Sequence, residues 1–516
     1  MTICALSTPS GIGGIAVVRI SGPDAISACA KVFQPFKAAH TLDLRPTHTL
    51  TFGRIIHPDT QEVLDEVVVA LYRAPHSFTG EDVVEISCHG SAYIQQELLH
   101  VLTTFCGVRM AQGGEFTRRA FANGRMDLSQ AEAVADLISA QNAAAHRLAF
   151  SQMKGSISRK LDTLHDQLLR LSSLLELELD FSEEDVEFAD RSQLLDIARQ
   201  IDAEVVRLSD TFRTGQAIRN GIPVAIIGET NVGKSTLLNH LLGDERAIVS
   251  DVHGTTRDVI EDTILLDGQL IRFIDTAGIR DTSDQVETMG IERTYQRLER
   301  AQIVLWLIDG TRLADADSTQ RCIQDTLDVY RRIQPYLRDQ QLLLVINKID
   351  LIPSDTLHAN LPLLQQALDE AGLPKQTGQS GLPPKQTGQS GLPPKQVFCP
   401  RCSGDRGGAE DRGGLLFLSA KHSLGFDHLR EVLVRATRLP QAQGDVILTN
   451  QRHYEAMQEA HQALLHVIDG LESHLSGDLV AEDLHAVIDV LNSVLGRSIT
   501  SQDTLNNIFK NFCIGK

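Results

Sequence analysis

Apolar residues recur at helical spacing in two separate parts of the chain. In the first part, five leucines follow one another at intervals of three and four residues, namely Leu161, Leu164, Leu168, Leu171 and Leu175. This spacing is typical of one long helix that packs along a single side. The C-terminal part carries two further stripes of this kind, Met457, Ala460, Leu464, Val467 and Leu471 followed by Leu484, Val487, Leu491 and Val494. We expect the two helical parts to pack together, with the stretch between them inserted as a separate domain.

The stretch between the helical parts alternates apolar runs with helical patterns. The runs are nearly continuous rather than alternating, and they cover residues 222–227, 270–274, 303–308, 342–346 and 415–418. Strands that are apolar on both faces are typical of a parallel sheet covered by helices on both sides. The pattern therefore predicts an α/β domain with a mostly parallel sheet.

The N-terminal part mixes shorter apolar runs with turns. Residues 15–20, 67–72 and 83–86 are the strand candidates, and turn residues separate them. This mixture predicts a small α+β domain. Two polar clusters interrupt it, and from the residues alone Ser77–Asp82 is read as a turn and Gly114–Phe121 as the start of a helix. The resulting fold class is a multidomain α/β protein with domains at 1–125, 126–215, 216–438 and 439–516.

Composition narrows the class of protein without defining its chemistry. The chain has 516 residues, of which 42% are hydrophobic and 22% charged, as in a water-soluble globular protein. Its formal net charge of −19 argues against a broad surface that coats nucleic acid, although a local basic patch is compatible with it. No signal peptide or membrane-spanning run is apparent, so we expect a cytoplasmic protein with no membrane contact. Eight dispersed cysteines are expected to be reduced thiols.

The segment from Gly228 to Ser235 fits the phosphate-loop pattern G-x-x-x-x-G-K-[ST]. Glycines let backbone N–H groups turn inward around phosphates, Lys234 supplies a positive charge, and the Ser235 hydroxyl can bind Mg²⁺. The loop follows a predicted strand and precedes a predicted helix from Thr236 to Leu242, which Gly243 should close. A helix N-terminus adds its own attraction for anions.

Four further motifs follow predicted strands or lie between them. Asp275-Thr276-Ala277-Gly278 can bind Mg²⁺ through water and sense the terminal phosphate, and Thr256 in Gly254-Thr255-Thr256 is suited to bind Mg²⁺ directly. Asn347-Lys348-Ile349-Asp350 supplies a carboxylate for the N1–H and 2-amino group of guanine, and Ser419-Ala420-Lys421 can contact the base from its other side. Together with the phosphate loop, these motifs predict an inserted Ras-like P-loop G domain that binds GTP.

Two features of this domain do not fit a simple G protein. Where Ras-like proteins carry a water-orienting glutamine, this chain has the apolar residue Ile279, so the catalytic group must come from elsewhere. An insertion at 373–414 contains a Gly/Pro/Gln repeat, which cannot form a core and is predicted to be disordered. Cys399 and Cys402 within it form half of a zinc-knuckle pattern, but no second pair stands nearby.

Most of the chain resembles the family of tRNA modification GTPases called MnmE or TrmE. The resemblance rests on Arg19–Gly22, Phe78–Asp82, Gly114–Thr117, Asn123–Leu128 with Gln130–Ala133, the G motifs and the terminal Phe512-Cys513-Ile514-Gly515-Lys516. It implies a tetrahydrofolate-binding N-terminal α+β domain, a helical domain that is discontinuous in sequence, and an inserted G domain. It also implies a homodimer formed through the N-terminal domains. An FAD-dependent partner called MnmG would join it in modifying C5 of the wobble uridine in certain tRNAs, with a one-carbon unit from tetrahydrofolate.

The resemblance also assigns residues in the folate site. Contacts to 5-formyl-tetrahydrofolate, or a related tetrahydrofolate, fall on Arg19, Glu85, Arg125 and Lys516. Arg125 stands where the family also has lysine, which keeps the charge but changes the geometry. Cys513 corresponds to a cysteine near the folate pocket, and both a chemical role and a role as a small buried apolar residue stay open.

In this family, GTP hydrolysis depends on K⁺ and on pairing of G domains. The resemblance therefore places K⁺ at Asn231, Ser250, Val252 and Thr255, and Mg²⁺ at Ser235 and Thr256. Glu287 matches the family's water-positioning acid, and together with Lys234 it forms the predicted catalytic pair. The residues predicted to contact GTP are Asn231, Val232, Gly233, Lys234, Ser235, Thr236, Ser250, Asp251, Val252, His253, Gly254, Thr255, Thr256, Asp275, Thr276, Ala277, Gly278, Asn347, Lys348, Asp350, Ser419, Ala420 and Lys421.

An alternative from another class remains open at this point. A GTP-dependent assembly factor, such as a G protein of ribosome biogenesis, would use the N-terminal and helical parts only to recognise partners. Such a protein has no need of Arg19, Glu85 and the Cys513–Lys516 tail. The insertion between Asp350 and Ser419 is the one departure from the family pattern, because it is longer than expected.

Overall fold

A computed structural model describes most of the chain. The described residues are 1–37, 41–180, 191–245, 262–274, 298–338, 340–371, 415–437 and 446–497, together with Leu505, Ile508, Phe509, Phe512 and Gly515. They form two compact units, one made of Met1–Ala140, His146–Phe212 and Val446–Lys516 and the other of Gln141–Ala145 and Arg213–Asp445. None of the helices in the described ranges is long and apolar enough to cross a membrane.

The N-terminal part of the first unit is a seven-stranded sheet with helices. Its strands are β1 (Ile3–Leu6), β2 (Gly13–Ser21), β3 (Phe33–Pro35), β4 (Thr49–Ile56), β5 (Val63–Tyr72), β6 (Val83–Gly90) and β7 (Arg109–Met110). They lie in the order β3-β4-β5-β6-β2-β1-β7, and every neighbouring pair is antiparallel except β1 with β7. Its helices are α1 (Ala25–Ala30), α2 (Ala92–Phe105) and α3 (Glu115–Ala122). The predicted α+β fold and its three predicted strands are confirmed.

The helical part of the first unit begins after the N-terminal domain. Its first helices are α4 (Leu128–Ser139), α5 (Ala143–Met153), α6 (Ser156–Asp180) and α7 (Arg191–Asn220), although the first three residues of α5 and residues 213–220 of α7 belong to the second unit. Asp127 caps α4: its side chain accepts a hydrogen bond from the Gln130 backbone N–H, while the Gln130 side chain accepts one from the Asp127 N–H. This reciprocal arrangement is a capping box, and it fixes where the helix begins.

The second unit is a six-stranded α/β domain. Its strands are β8 (Ile222–Gly228), β9 (Asp262–Leu266), β10 (Gln269–Phe273), β11 (Ile303–Asp309), β12 (Gln341–Asn347) and β13 (Leu415–Phe417). Its helices are α8 (Lys234–Glu245), α9 (Ala316–Ile333), α10 (Ser354–Glu370) and α11 (Phe426–Ala436). The strand order is β13-β12-β11-β8-β10-β9, and all neighbouring pairs are parallel except β9 with β10.

The central strand β11 shows why a nearly continuous apolar run predicts this sheet. Ile303, Leu305 and Leu307 face one hydrophobic core, whereas the alternate residues Val304, Trp306 and Ile308 face another. Both faces of the strand are therefore buried, and every side chain must be apolar. The predicted mostly parallel sheet is confirmed.

The last two helices complete the helical part of the first unit. They are α12 (Gln451–Glu472) and α13 (Gly477–Leu495). The leucines of α6 share one buried core with α7, α12 and α13, and Leu168, Leu171, Leu464 and Leu484 in it have no exposed surface. The prediction that the two helical parts pack together is confirmed.

Three details differ from the sequence-based expectations. Helix α8 starts at Lys234 and continues through Gly243 to Glu245, so the prediction that Gly243 closes it was wrong. A Cβ on Gly243 would meet nothing within 4 Å, so this glycine neither marks a tight contact nor ends the helix. The edge strand β9 was not predicted, and α7 continues past the predicted boundary at 215.

Candidate functional site

The phosphate loop lies between the end of β8 and the start of α8. Asn231 adopts a left-handed backbone conformation with a φ of 61°, and Gly228 and Gly233 have φ values of 148° and 103°. Such successive turns aim backbone N–H groups into a shared concavity, which together with the N-terminus of α8 favours an anion. The Lys234 Nζ donates to the carbonyl oxygens of Gly228 and Glu229 at 2.8 and 2.7 Å, so its positive charge lies against the loop. The loop thus has the shape and charge to hold phosphate groups.

Two constraints require glycine at position 233: its positive backbone angle and the close approach of a neighbouring side chain. A Cβ at this position would stand 2.3 Å from the Asn347 Nδ2, far inside van der Waals contact. Asn347 itself is 2% exposed and ends β12, and its Nδ2 donates to the Val232 carbonyl oxygen at 2.7 Å. The carboxamide therefore ties the phosphate loop to the end of a neighbouring strand.

The same carboxamide also holds the segment after β13. Its Oδ1 accepts a hydrogen bond of 2.9 Å from the Ala420 N–H. The structure thus brings three predicted nucleotide motifs together at Asn347, although the segment after β13 follows a long insertion. Ser419 is completely buried, and its N–H donates to the Leu424 carbonyl oxygen at 3.0 Å.

The residues that follow Asn347 turn away from the strand. Lys348 has a left-handed φ of 63°, and its Nζ lies 2.6 Å from the Asp309 Oδ2. Burial acts to raise the pKa of the Asp309 carboxyl, but hydrogen bonds from Lys348 and Thr311 outweigh it and the pKa is lowered. On the other side, the Asp350 Oδ2 lies 3.6 Å from the His422 Nε2. Asp350 therefore lies close to the predicted base-contacting segment Ser419–Lys421.

Asp309 is a residue that the sequence reasoning missed. It ends β11 directly opposite Asn347 on β12, so it stands at the same edge of the sheet. A signal was present, because an acidic residue directly after a buried parallel strand lies where such sheets bind ligands. Arg312 was missed as well. Its guanidinium donates to the Oε1 of Glu229, the second residue of the phosphate loop, at 2.9 Å and also pairs with Asp325.

Part of the predicted nucleotide site lies outside the described residues. Ser235 and Thr236 are described, and they occupy the first turn of α8. The predicted residues outside the described part are Ser250, Asp251, Val252, His253, Gly254, Thr255, Thr256, Asp275, Thr276, Ala277, Gly278 and Glu287. The insertion at 373–414, with Cys399 and Cys402, lies outside it as well.

A second candidate site lies in the N-terminal domain, around Arg19. Arg19 on β2 stands directly opposite Glu85 on β6, and its guanidinium contacts the Glu85 Oε1 at 2.7 and 2.9 Å through two of its nitrogens. The guanidinium also lies over the rings of Phe78 and Phe116, at 5.4 and 5.7 Å from their centroids. A cation that is held between a carboxylate and two aromatic rings is well placed to bind a flat anionic molecule.

The C-terminal tail reaches this site. The Gly515 carbonyl oxygen accepts hydrogen bonds from the Ser7 Oγ at 3.2 Å and from the Arg19 guanidinium at 3.4 Å. Arg125 is exposed, and its Cγ lies beside the turn at Gly80, where an added Cβ would stand 3.2 Å from it. The structure thus brings Arg19 and Glu85 together and places Arg125 against the turn that carries Phe78. Lys516 and Cys513 lie outside the described residues.

A buried network of ion pairs stabilises the start of α3, the helix that carries Phe116. The Glu115 side chain is 1% exposed and accepts hydrogen bonds from Arg109, Arg119 and the Gln112 N–H. Burial acts to raise the pKa of Glu115, but these hydrogen bonds outweigh it and lower the pKa from 4.5 to about 2. Arg119 also contacts Glu81 at 2.9 Å, in the turn that precedes β6. The predicted helix start at Gly114–Phe121 is confirmed. Glu115 is its acidic residue, and the ion pair with Arg109 ties the first turn of α3 to β7.

Comparison with known proteins identifies relatives over the whole chain. A family model described as the GTP-binding protein TrmE N-terminus matches residues 2–125, and one described as the MnmE helical domain matches residues 128–513. A protein of Bacteroides thetaiotaomicron named tRNA modification GTPase MnmE is 48% identical over 516 residues, which cover 100% of this chain and 99% of the relative. A protein of the same name from Parabacteroides distasonis is 47% identical over 517 residues and covers 100% of both chains.

Solved structures are similar over part of the chain. One of them is the crystal structure of Era from Aquifex aeolicus bound to GDP.AlF4-, with 22% identity over 47% of this chain and 66% of that chain. Its TM-score is 0.26, a value at which the likeness carries no argument about function.

Proposed function

The chain belongs to the family of tRNA modification GTPases called MnmE, and on that premise we propose that it hydrolyses GTP in the course of modifying tRNA. The observation that carries the proposal is the set of contacts at Asn347. This residue links the phosphate loop, through Val232, to the segment Ser419–Lys421, through Ala420. The loop proposed to bind the phosphates and the segment proposed to bind the base are thereby joined at one edge of a single sheet.

The proposed GTP site uses these two parts for different ends of the nucleotide. The backbone N–H groups of Asn231–Thr236 and the Lys234 ammonium hold the phosphates. At the other end, the Asp350 carboxylate accepts hydrogen bonds from guanine N1–H and its 2-amino group, with Lys348 and Ser419–Lys421 around the base. Adenine lacks those two donors, so the site selects GTP. Asp309 has a positioning role, because its carboxylate fixes the Lys348 ammonium.

Hydrolysis needs positive charge where the phosphates separate. We propose that Ser235 and Thr256 hold Mg²⁺, and that Asn231, Ser250, Val252 and Thr255 hold K⁺. Both ions would supply electrostatic stabilisation of the charge that develops on the phosphate oxygens. The described ligands suit these hard cations, since Ser235 offers a hydroxyl oxygen on the first turn of α8 and Asn231 offers oxygens in the loop. The remaining contacts to GTP are assigned to Ser250–Thr255 and to Asp275–Gly278.

The group that positions the attacking water is assigned to Glu287. Its carboxylate can accept a proton from the water as the bond to the γ-phosphorus forms and the bond to the β–γ bridging oxygen breaks. Ile279 cannot do this, because its side chain has no hydrogen-bonding atom. Glu287 and Lys234 are thus the proposed catalytic residues.

The Arg19 site is proposed to bind 5-formyl-tetrahydrofolate or a related tetrahydrofolate. Its carboxylate, cation and aromatic rings suit a molecule that combines a flat, hydrogen-bonding ring system with carboxylates. Arg125 and Lys516 add positive charge, and Cys513 lies in the same tail. The folate supplies a one-carbon unit when bound.

The wider assembly is also a proposal. We place the domains at 1–125, 126–215, 216–438 and 439–516, and we propose a cytoplasmic homodimer formed through the N-terminal domains. An FAD-dependent protein of the MnmG type would be its partner, and the product would be a carboxymethylaminomethyl or aminomethyl group at C5 of the wobble uridine. The tRNA is the substrate of the assembly.

Nucleoside analysis of tRNA tests this function directly. Cells that lack the chain should lose the modified wobble uridine, and the wild-type chain should restore it. Complementation with Asp350→Ala should fail because guanine recognition is lost, whereas Asp355→Ala, an exposed acid at the start of α10, should restore the modification. Unchanged nucleosides in the deletion strain, together with an altered ribosome profile, would instead support the assembly-factor alternative.

A further inference from the structure

One exposed face of α5 carries cations and an aromatic ring. We define the α5 stripe as the exposed residues His146, Arg147, Phe150, Lys154 and Arg159, which belong to α5, the turn that follows it and the first turn of α6. His146, Phe150 and Lys154 are four residues apart and so lie one above the other along the helix. The stripe plays no part in the two sites described above.

The local charge is opposite to that of the chain. The chain has a formal net charge of −19, yet no Asp or Glu occurs between Asp136 and Asp162, the stretch that contains α5. Four Arg or Lys residues occur there, and Lys160 is paired with Glu204 at 2.6 Å. A stretch of this kind in an acidic protein is a local basic patch, the type of surface that attracts phosphate.

The aromatic ring at the centre of the stripe is exposed. Phe150 is 43% exposed, and among the described residues beyond position 125 it is the only Phe, Tyr or Trp that is classed as exposed. Its ring lies parallel to that of His146, with an interplanar angle of 8° and 6.1 Å between centroids. The Lys154 Nζ lies 5.4 Å from the centroid of the Phe150 ring. The ring is therefore oriented by its neighbours while part of its surface stays open to solvent.

The cations differ in how far the fold accounts for them. Lys154 directly follows the last residue of α5, where positive charge stabilises the helix, and the Arg159 guanidinium, which comes from the first turn of α6, donates to the Lys154 carbonyl oxygen at 2.7 Å. Arg147 lies one turn or more before that end, and it makes no hydrogen bond or ion pair with any described residue. Helix stabilisation thus explains two of the cations but neither Arg147 nor the exposed ring.

We propose that the α5 stripe binds RNA, with the base of an unpaired nucleotide on the Phe150 ring and backbone phosphates at Arg147, Lys154 and Arg159. The combination of an exposed ring with flanking cations is what single-stranded nucleic acid recognises, because bases stack and phosphates pair with Arg and Lys. The inference rests on the proposed function, in which tRNA is the substrate. It names the surface of this chain that the tRNA contacts.

Substitutions of Phe150 separate stacking from general apolar contact. The affinity of the full-length chain for a fluorescently labelled, unmodified tRNA transcript is measured by anisotropy. Phe150→Ala and Phe150→Leu should each weaken binding about tenfold, because both remove the ring. Phe150→Tyr should bind like the wild type, since it keeps the ring. Leucine retains a large apolar side chain, so a surface that docks a protein through apolar contact would tolerate it.

Salt dependence tests the phosphate contacts. Arg147→Glu should weaken binding and reduce the slope of log K against log salt concentration by roughly one, as expected when one phosphate contact is lost. The matched control is the exposed pair Leu169 and Arg170 on α6, since Leu169 is 45% exposed. Leu169→Ala and Arg170→Glu should leave both affinity and salt slope unchanged. GTP hydrolysis without tRNA should be the same in all these variants.

The outcomes distinguish this inference from the proposed function. Wild-type affinity in Phe150→Ala, retained affinity in Phe150→Leu, or no tRNA binding by the wild-type chain would each overturn the RNA-binding assignment. None of these results bears on nucleoside analysis of the deletion strain, which tests the proposed function separately. A loss of affinity that appears equally in the Leu169 and Arg170 controls would also overturn it, because the effect would then not belong to the stripe.

Discussion

The Asn347 Nδ2 lies so close to Gly233 that a Cβ at position 233 would stand 2.3 Å from it. The same nitrogen donates to the Val232 carbonyl oxygen at 2.7 Å, so the phosphate loop and the end of β12 are joined over 115 positions of sequence. A glycine in the loop and an asparagine on a distant strand are thus parts of one contact. The phosphate site and the base site cannot be disturbed independently at this point.

Gly233→Ala should therefore damage GTP binding more than a glycine substitution normally does. The new Cβ must displace Asn347, and the φ of 103° is unfavourable for alanine. We expect GTP affinity to fall at least tenfold and the domain to lose about 2 kcal/mol of stability. Titration with a fluorescent GTP analogue and thermal unfolding measure the two effects. Gly243→Ala is the matched control, since its Cβ meets nothing within 4 Å, and it should stabilise α8 by about 0.5 to 1 kcal/mol.

Arg19→Ala should abolish most of the binding of 5-formyl-tetrahydrofolate. The substitution removes the cation and leaves the Glu85 carboxylate unpaired at the site. Isothermal titration calorimetry should show a loss of affinity of at least a hundredfold, in line with the loss of a charge-assisted pair. Arg54→Ala is the control, because Arg54 also lies over an aromatic ring, that of Phe36 at 5.7 Å, but on β4. Equal affinity in wild type and Arg19→Ala would remove Arg19 from the folate site.

Glu287→Ala should slow GTP hydrolysis while leaving GTP binding nearly intact. Loss of a group that positions and deprotonates the attacking water costs about a hundredfold or more in rate. Single-turnover hydrolysis and GTP affinity, measured on the same preparation, separate the two steps. The nearby acid Asp284 serves as the control, and Asp284→Ala should keep its turnover. A Glu287→Ala variant with wild-type turnover would contradict the assignment.

Replacing K⁺ by Na⁺ at constant ionic strength should slow GTP hydrolysis. Na⁺ is smaller, so the oxygens assigned to Asn231, Ser250, Val252 and Thr255 should hold it less well, and the positive charge near the phosphates would be lost. Initial rates in the two chloride salts provide the measurement, with the affinity for GDP as the control that should not change. Equal rates in both salts would count against a potassium site.

Stability should depend on pH through Glu115. Its folded-state pKa of about 2 lies below the ordinary value of 4.5, so the unfolded chain takes up the proton first as the pH falls. The stabilisation is therefore complete above about pH 5 and is lost progressively between pH 4.5 and pH 2. Glu115→Gln should lower stability by about 3 kcal/mol at pH 7, because Arg109 and Arg119 lose their carboxylate, and the difference from wild type should shrink towards pH 2.

Thermal unfolding measured between pH 7 and pH 3 tests this expectation. Glu66→Gln, an exposed glutamate on β5, is the control and should change neither the stability at pH 7 nor its pH dependence. A difference between Glu115→Gln and wild type that stays constant over the whole range would show that the carboxylate is not the source of the effect.

Some features of the fold and of the sites can be predicted from a few consecutive residues, and others cannot. Periodicity located the buried leucines of α6 because a helix packed on one side must repeat its apolar residues at that spacing. The phosphate loop was also found locally, since its glycines and Lys234 lie within eight positions. By contrast, the end of α8 was misplaced at Gly243, because a single glycine costs a helix only about 1 kcal/mol and packing of the flanking leucines offsets it.

The sequence by itself determined which residue types were available and where each strand or helix would place them. It identified the α/β sheet, the helical core and the nucleotide motifs, because each is encoded over a few consecutive residues. Only the tertiary structure decided that Asn347 contacts both Val232 and Ala420, that Asp309 fixes Lys348, and that the Gly515 carbonyl reaches Arg19. These contacts join residues that are far apart in the chain, and their existence depends on strand order and on how tightly the loops approach one another, which no local pattern specifies.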